Sequence, residues 1–111
     1  MAIQLSTSVN EKGTAVIIVD LYDEDSSGAT PTSAKWRLTD NYGNVINSRA
    51  TVTMATLSTR MKIVLTGDDL QYSSVSNKRV ILVEARYDSN NGSELYLKEE
   101  GHFTIENFVK V

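Results

Sequence analysis

Residues 79–87 read RVILVEARY, with Ile81, Val83, Ala85 and Tyr87 on one side of a two-residue period and Glu84 and Arg86 on the other. This alternation puts one face of a strand in a core and the other toward water. The same period recurs along the chain. In residues 14–22, TAVIIVDLY, the cleaner apolar face is Ala15, Ile17, Val19 and Leu21. Residues 33–39, SAKWRLT, turn Ala34, Trp36 and Leu38 inward and Lys35 and Arg37 outward, and residues 59–66 turn Met61, Ile63 and Leu65 inward. Weaker patterns predict a first strand over residues 3–9 at an edge, a return strand beginning at Val45 and Ile46, and a short strand over residues 50–54. Leu95, Leu97, Phe103 and Ile105 carry the pattern toward the C-terminus, where Phe108 and Val109 are expected to anchor the tail.

Turn chemistry separates these runs. Asn10-Glu11-Lys12-Gly13 and Asp40-Asn41-Tyr42-Gly43 combine an Asx residue with glycine. Residues 23–32, DEDSSGATPT, form the longest loop and hold the only proline, Pro31. Gly67-Asp68-Asp69-Leu70 predicts one helical turn with Leu70 plugging the end of the core, and residues 71–78 form a polar loop. Asp88-Ser89-Asn90-Asn91-Gly92 marks a hairpin turn, because Asn-Gly tolerates the positive φ of a tight turn. No apolar repeat of period 3.6 is sustained anywhere. About seven to eight short strands with turns between them predict an all-β, antiparallel β-sandwich, a single domain over residues 1–111.

One strand departs from simple alternation. Val16 and Ile18 make residues 14–22 apolar on the second face as well, beside Asp20 and Tyr22. A strand apolar on both faces is covered by a loop or touches another chain. Val16 and Ile18 are therefore interface candidates.

Composition removes several function classes. The formal net charge is −3, and no run of Lys or Arg is present to follow a phosphate backbone, so nucleic acid is not an expected partner. No apolar run approaches the roughly 18 residues of a membrane span. The start MAIQLSTSVNEKG has no basic and apolar regions of a signal peptide, which leads us to expect synthesis in a cytoplasm. The absence of cysteine excludes a disulfide framework, thiol catalysis and Cys-ligated zinc.

The remaining chemistry is sparse. Asp23-Glu24-Asp25-Ser26-Ser27-Gly28 resembles the start of a calcium loop, with Asp23 and Asp25 as the candidate ligands. Position twelve of such a loop falls on Ala34, where a bidentate Glu is required, and the flanks are strands. A solvated acidic loop is the expectation, with no metal or other cofactor. His102, the only histidine, alternates with Phe103 and should face outward. Glu99 and Glu100 point to opposite faces of a strand and do not form a facing carboxylate pair. The Asp68–Asp69 pair reads as surface or turn. Trp36 reads as core. Tyr42, Tyr72 and Tyr96 sit in loops or on outward positions and could form a binding rim. Tyr42 and Tyr96 join the interface candidates. No catalytic constellation appears.

The order of features is similar to that of an immunoglobulin-like domain: Trp36 on a third strand (KWRLTD), a D-x-x-G turn, and Gly67-Asp68-Asp69-Leu70 before the long strand that holds Val83 and Tyr87. Both characteristic cysteines and the corner tyrosine are missing, so the resemblance is to a disulfide-free relative. More narrowly, TAVIIVDLYDEDSSGATPTSAKWRLTDNYGNVINSR and RVILVEARYDSNNGSELYLKEEGHFTIENF resemble small immunoglobulin-like virion proteins of tailed bacteriophages. That resemblance covers most of the chain and implies a non-enzymatic structural part: a head decoration, head–tail junction or tail accessory subunit. The implied partners are other virion proteins or further copies of the chain, and the implied location is the virion, after synthesis in the host cytoplasm. The competing expectation is a cell-surface or carbohydrate-binding module that uses the loop tyrosines and a calcium-stabilised acidic loop.

Overall fold

The alternating runs become two sheets whose apolar faces meet. The computed structural model describes residues 2–4, 8–10, 12–23, 25–72 and 77–106. Its strands are β1 (Ala2–Gln4), β2 (Ser8–Asn10), β3 (Thr14–Asp20), β4 (Ser33–Asp40), β5 (Val52–Thr53), β6 (Arg60–Thr66), β7 (Lys78–Ser89) and β8 (Gly92–Glu106). One sheet has the order β1-β3-β6 and the other β2-β8-β7-β4-β5. Every described pairing is antiparallel except β2 with β8. This is an all-β sandwich of two packed sheets.

The inward positions are those that the period marks. Ile17, Val19, Met61, Ile63 and Leu65 of the smaller sheet face Trp36, Leu38, Ile81, Val83, Phe103 and Ile105 of the larger one, all buried. Each fully buried aliphatic side chain contributes about 1.5–3 kcal/mol. Strand β7 is the centre of the larger sheet, paired over most of its length with both β4 and β8. Leu70 closes one end of the core at 0% exposure, as the last residue of the 3-10 turn Gly67–Leu70. Gly67 starts that turn at φ +57, a conformation that strains side-chain-bearing residues.

Three local expectations change, and a fourth feature, the placement of Arg79, is one that none of them addressed. The first strand is two strands: β1 pairs with β3 in the smaller sheet, and β2 pairs with β8 in the larger. The chain crosses between sheets there, which a single alternating pattern does not reveal. Leu5 lies outside the described residues, as do Phe108 and Val109.

Second, the return strand at Val45 and Ile46 shrinks to one bridge between Val45 and Thr39. Asn47 and Ser48 then take φ +50 and +60 and turn the chain away. The hairpin turn falls where the Asp88–Gly92 signal places it: Ser89 pairs with Gly92 around Asn90 and Asn91.

Third, Asp69 is buried, at 1% exposure. Arg49 Nε donates to its Oδ1 at 2.9 Å, Asn47 Nδ2 donates to the same oxygen at 2.8 Å, and the Thr66 backbone N–H donates to Oδ2 at 3.2 Å. The left-handed residues after Ile46 are what bring Asn47 and Arg49 to this carboxylate. Burial pushes the Asp69 carboxyl up, but these hydrogen bonds and the Arg49 charge outweigh it and hold the group below its ordinary value.

Fourth, Arg79 is buried at 3% exposure on the inner face, where it shares the parity of Ile81. Its guanidinium donates to the backbone carbonyls of Gln71 and Lys78 at 2.9 and 2.8 Å, which ties the start of β7 to the segment that follows the 3-10 turn.

Candidate docking surface

Strand β3 is the middle strand of the three-stranded sheet, and its second apolar face looks outward. Val16 lies directly opposite Val64 of β6, and the two are 49% and 53% exposed. Ile18 lies opposite Lys62 on the same face and is half-buried. One end of this face is closed by Asp20 and Arg60, whose Oδ1 and Nε lie 2.7 Å apart, and the other end carries the Thr14–Thr66 pair. The result is a valine pair on an outer sheet face, framed by polar side chains. Polar framing of an exposed apolar patch is the arrangement of protein contact sites.

Of the interface candidates, Val16 and Ile18 share this face. Tyr42 and Tyr96 lie elsewhere. Tyr42 is 70% exposed, in the turn after β4. That turn is held by Asp40, whose Oδ1 accepts the backbone N–H groups of Tyr42 and Asn44 at 2.8 and 3.0 Å. Tyr96 is on the outer face of the five-stranded sheet, opposite Arg86. Along β7, Arg86 is roughly 20 Å from Arg79, the partner of Asp40, at a strand rise of about 3.3 Å per residue. Tyr72 is half-buried against the core. The three tyrosines therefore do not meet as a rim.

Around Tyr96 the outer face is polar and internally paired. Arg86 and Lys98 lie over the Tyr96 ring at 5.1 and 5.6 Å from its centroid. Glu84 receives Lys35 at 3.6 Å and Lys98 at 3.9 Å. A hydrogen bond from the Tyr96 hydroxyl, aided by the two lysines, holds the Glu84 carboxyl below its ordinary value against burial, and the same bond pushes the Tyr96 phenol up. A shallow hollow of about 520 Å³ opens here, walled by Ser33, Lys35, Glu84, Arg86 and Tyr96. The ring is already engaged by two cations, and a sugar would have to displace them to stack on it.

Asp23 serves its own loop. Its Oδ1 accepts the backbone N–H groups of Asp25 and Ser27, both at 2.9 Å, and its own N–H donates to the Ser27 carbonyl at 2.8 Å. Asp25 is exposed, and Glu24 lies outside the described residues. Among the described residues no three His, Asp or Glu side chains stand close enough to hold a metal ion. Millimolar calcium is therefore expected to leave the melting temperature unchanged, whereas a rise of several degrees in a thermal scan would contradict this reading of the loop.

His102 faces outward, with Nε2 3.3 Å from Glu100 Oε2. Glu99 shares a pair position with buried Val83, while Glu100 is exposed, so the two carboxylates diverge along the strand. Trp36 is core at 7% exposure, with the Arg49 guanidinium 5.9 Å from its ring centroid.

The sequence reasoning missed Val64, the other half of the exposed pair. Its signal is present: it stands between inward Ile63 and Leu65 in a run that is otherwise polar outward. Only the register of β3 against β6 shows that it meets Val16. Set against protein-family models, curated proteins and solved structures, the chain matches none of them.

Proposed function

We propose that this chain is a non-enzymatic docking subunit of a tailed-phage virion, a head decoration, head–tail junction or tail accessory protein, which acts by burying the outer face of its three-stranded sheet against a neighbouring virion protein. The observation that carries the reading is the exposed Val16–Val64 pair on a preformed sheet face. The virion setting comes from the resemblance of residues 14–49 and 79–108 to immunoglobulin-like virion proteins. Docking of this kind has no turnover: a rigid face is presented, and affinity comes from apolar area removed from water.

The test is the double variant Val16→Lys/Val64→Glu, which removes both apolar side chains while placing opposite charges across the pair. Both side chains are about half exposed, so each contributes roughly 1 kcal/mol on complete burial, and their loss weakens docking at least about thirtyfold. Intramolecular stability should change by less than about 1 kcal/mol, the usual range for outward positions. The double variant should keep the tryptophan emission and urea midpoint of the parent and fail to join particles assembled in its presence. Normal incorporation of the folded variant would overturn the proposal, and so would a variant that does not fold, because the two valines would then belong to the core.

A further inference from the structure

Among the described residues, the smaller sheet ends on a strand with one neighbour. β6 pairs with β3 on one side only, and it is the edge of its sheet. Its hydrogen-bonding phase follows from one bond: the Leu21 N–H donates to the Thr59 carbonyl at 2.9 Å. Antiparallel ladders alternate between pairs that exchange backbone bonds and pairs that do not. In the register Ile17–Ile63 and Val19–Met61, residues 59, 61, 63 and 65 therefore bond toward β3. The main-chain groups of Arg60, Lys62, Val64 and Thr66 point the other way, out of the sheet edge.

The two ends of that edge are closed from within the chain. The Thr66 N–H donates to Asp69 Oδ2 at 3.2 Å. The Arg60 carbonyl accepts the Ser58 hydroxyl. Between them, the N–H and C=O groups of Lys62 and Val64 have no partner among the described residues. Lys62 likewise forms no ion pair there, whereas the neighbouring Arg60 is held by Asp20. Beside this open window lies a groove of about 490 Å³, walled by Trp36, Met54, Met61 and Ile63.

We infer that the β6 edge accepts an extended strand from a partner protein, added antiparallel, with a carboxylate opposite Lys62 and an aliphatic side chain opposite Val64. Two exchange pairs form, at Lys62 and Val64, with four backbone hydrogen bonds. The partner's residue opposite Ile63 points into the groove. Charge selects the occupant. A second copy of β6 would place Lys62 opposite Arg60, another Lys62, Val64 or Thr66, none of which is negative, and like charges directly opposite destabilise a ladder. A carboxylate-bearing strand satisfies the lysine that self-pairing leaves unmatched.

This inference rests on the docking reading of the same sheet and specifies its contact. The probe is a short, end-blocked peptide of alternating threonine and valine with one glutamate placed for Lys62. A second peptide carries lysine in place of that glutamate. Val64→Pro removes one N–H of the open window without removing a β3 bond, and proline is tolerated on edge strands. The expected results are chemical-shift changes centred on the Lys62 and Val64 amides, a loss of at least about tenfold in affinity for Val64→Pro, and a preference of Lys62→Glu for the lysine peptide. Should Val64→Pro fail to fold, the charge swap at Lys62 decides alone. Shifts confined to another face, no charge preference, or dimerisation of the parent chain through β6 would each overturn the inference. Val16→Lys separates the two readings: peptide capture that survives in this variant, alongside lost particle incorporation, supports both. Normal incorporation of Val64→Pro with failed incorporation of Val16→Lys overturns strand addition alone.

Discussion

Trp36→Ala is expected to destabilise the fold by about 3–5 kcal/mol, the usual cost of truncating a buried tryptophan. Trp36 sits opposite Val83 of β7 and Val52 of β5, at 7% exposure, where the two sheets come together at the β5–β6 side. Against a total stability of about 5–15 kcal/mol for a domain of this kind, that loss is large enough to populate the unfolded state at 37 °C. Far-ultraviolet circular dichroism in urea measures it, since the chain has no other tryptophan to report by fluorescence. A loss under about 1 kcal/mol would mean that Trp36 is a surface platform and not part of the core.

Asp69→Ala should follow at about 2–3 kcal/mol, the range for hydrogen bonds to a buried charged group. Arg49, Asn47 and Thr66 all reach water, which limits the penalty, but the variant frees the loop of residues 47–49 from the 3-10 turn. The pH dependence has a definite sign. The folded-state pKa of Asp69 is depressed, so its contribution is complete above the unfolded value of about 3.9. It is lost as the pH falls from there through the folded value. The difference in urea midpoint between parent and variant should therefore be largest at neutral pH and shrink below about pH 4. A difference independent of pH would place the effect in packing and not in the carboxylate.

The core was legible because the alternation is strong. Ile17, Leu38, Met61, Ile81, Val83 and Phe103 all sit where period two places them, and the helical turn ending in buried Leu70 follows from its glycine and apolar residue. What was not legible depends on pairing between distant segments. Nothing near residues 3–9 announces that β1 and β2 belong to different sheets. Asp69 reads as one of two acidic turn residues until Asn47 and Arg49, some twenty positions earlier, fold onto it. Arg79 was within reach, since it shares the parity of Ile81, but an arginine at a strand end reads by default as solvated. The candidate docking face was half legible: the doubled apolar pattern marked Val16 and Ile18, while Val64 joined them only through register. Tyr42 and Tyr96, chosen for their exposure alone, have no geometric relation to that face.

The most direct test of the docking account is amide hydrogen exchange on the chain, free in solution and incorporated into virions. Docking through the three-stranded sheet predicts new protection at the Lys62 and Val64 amides on assembly, with the amides around Tyr42 and Tyr96 unchanged. A chain absent from purified particles, or one whose new protection falls on the five-stranded face while Lys62 and Val64 exchange as they do in the free protein, would contradict it.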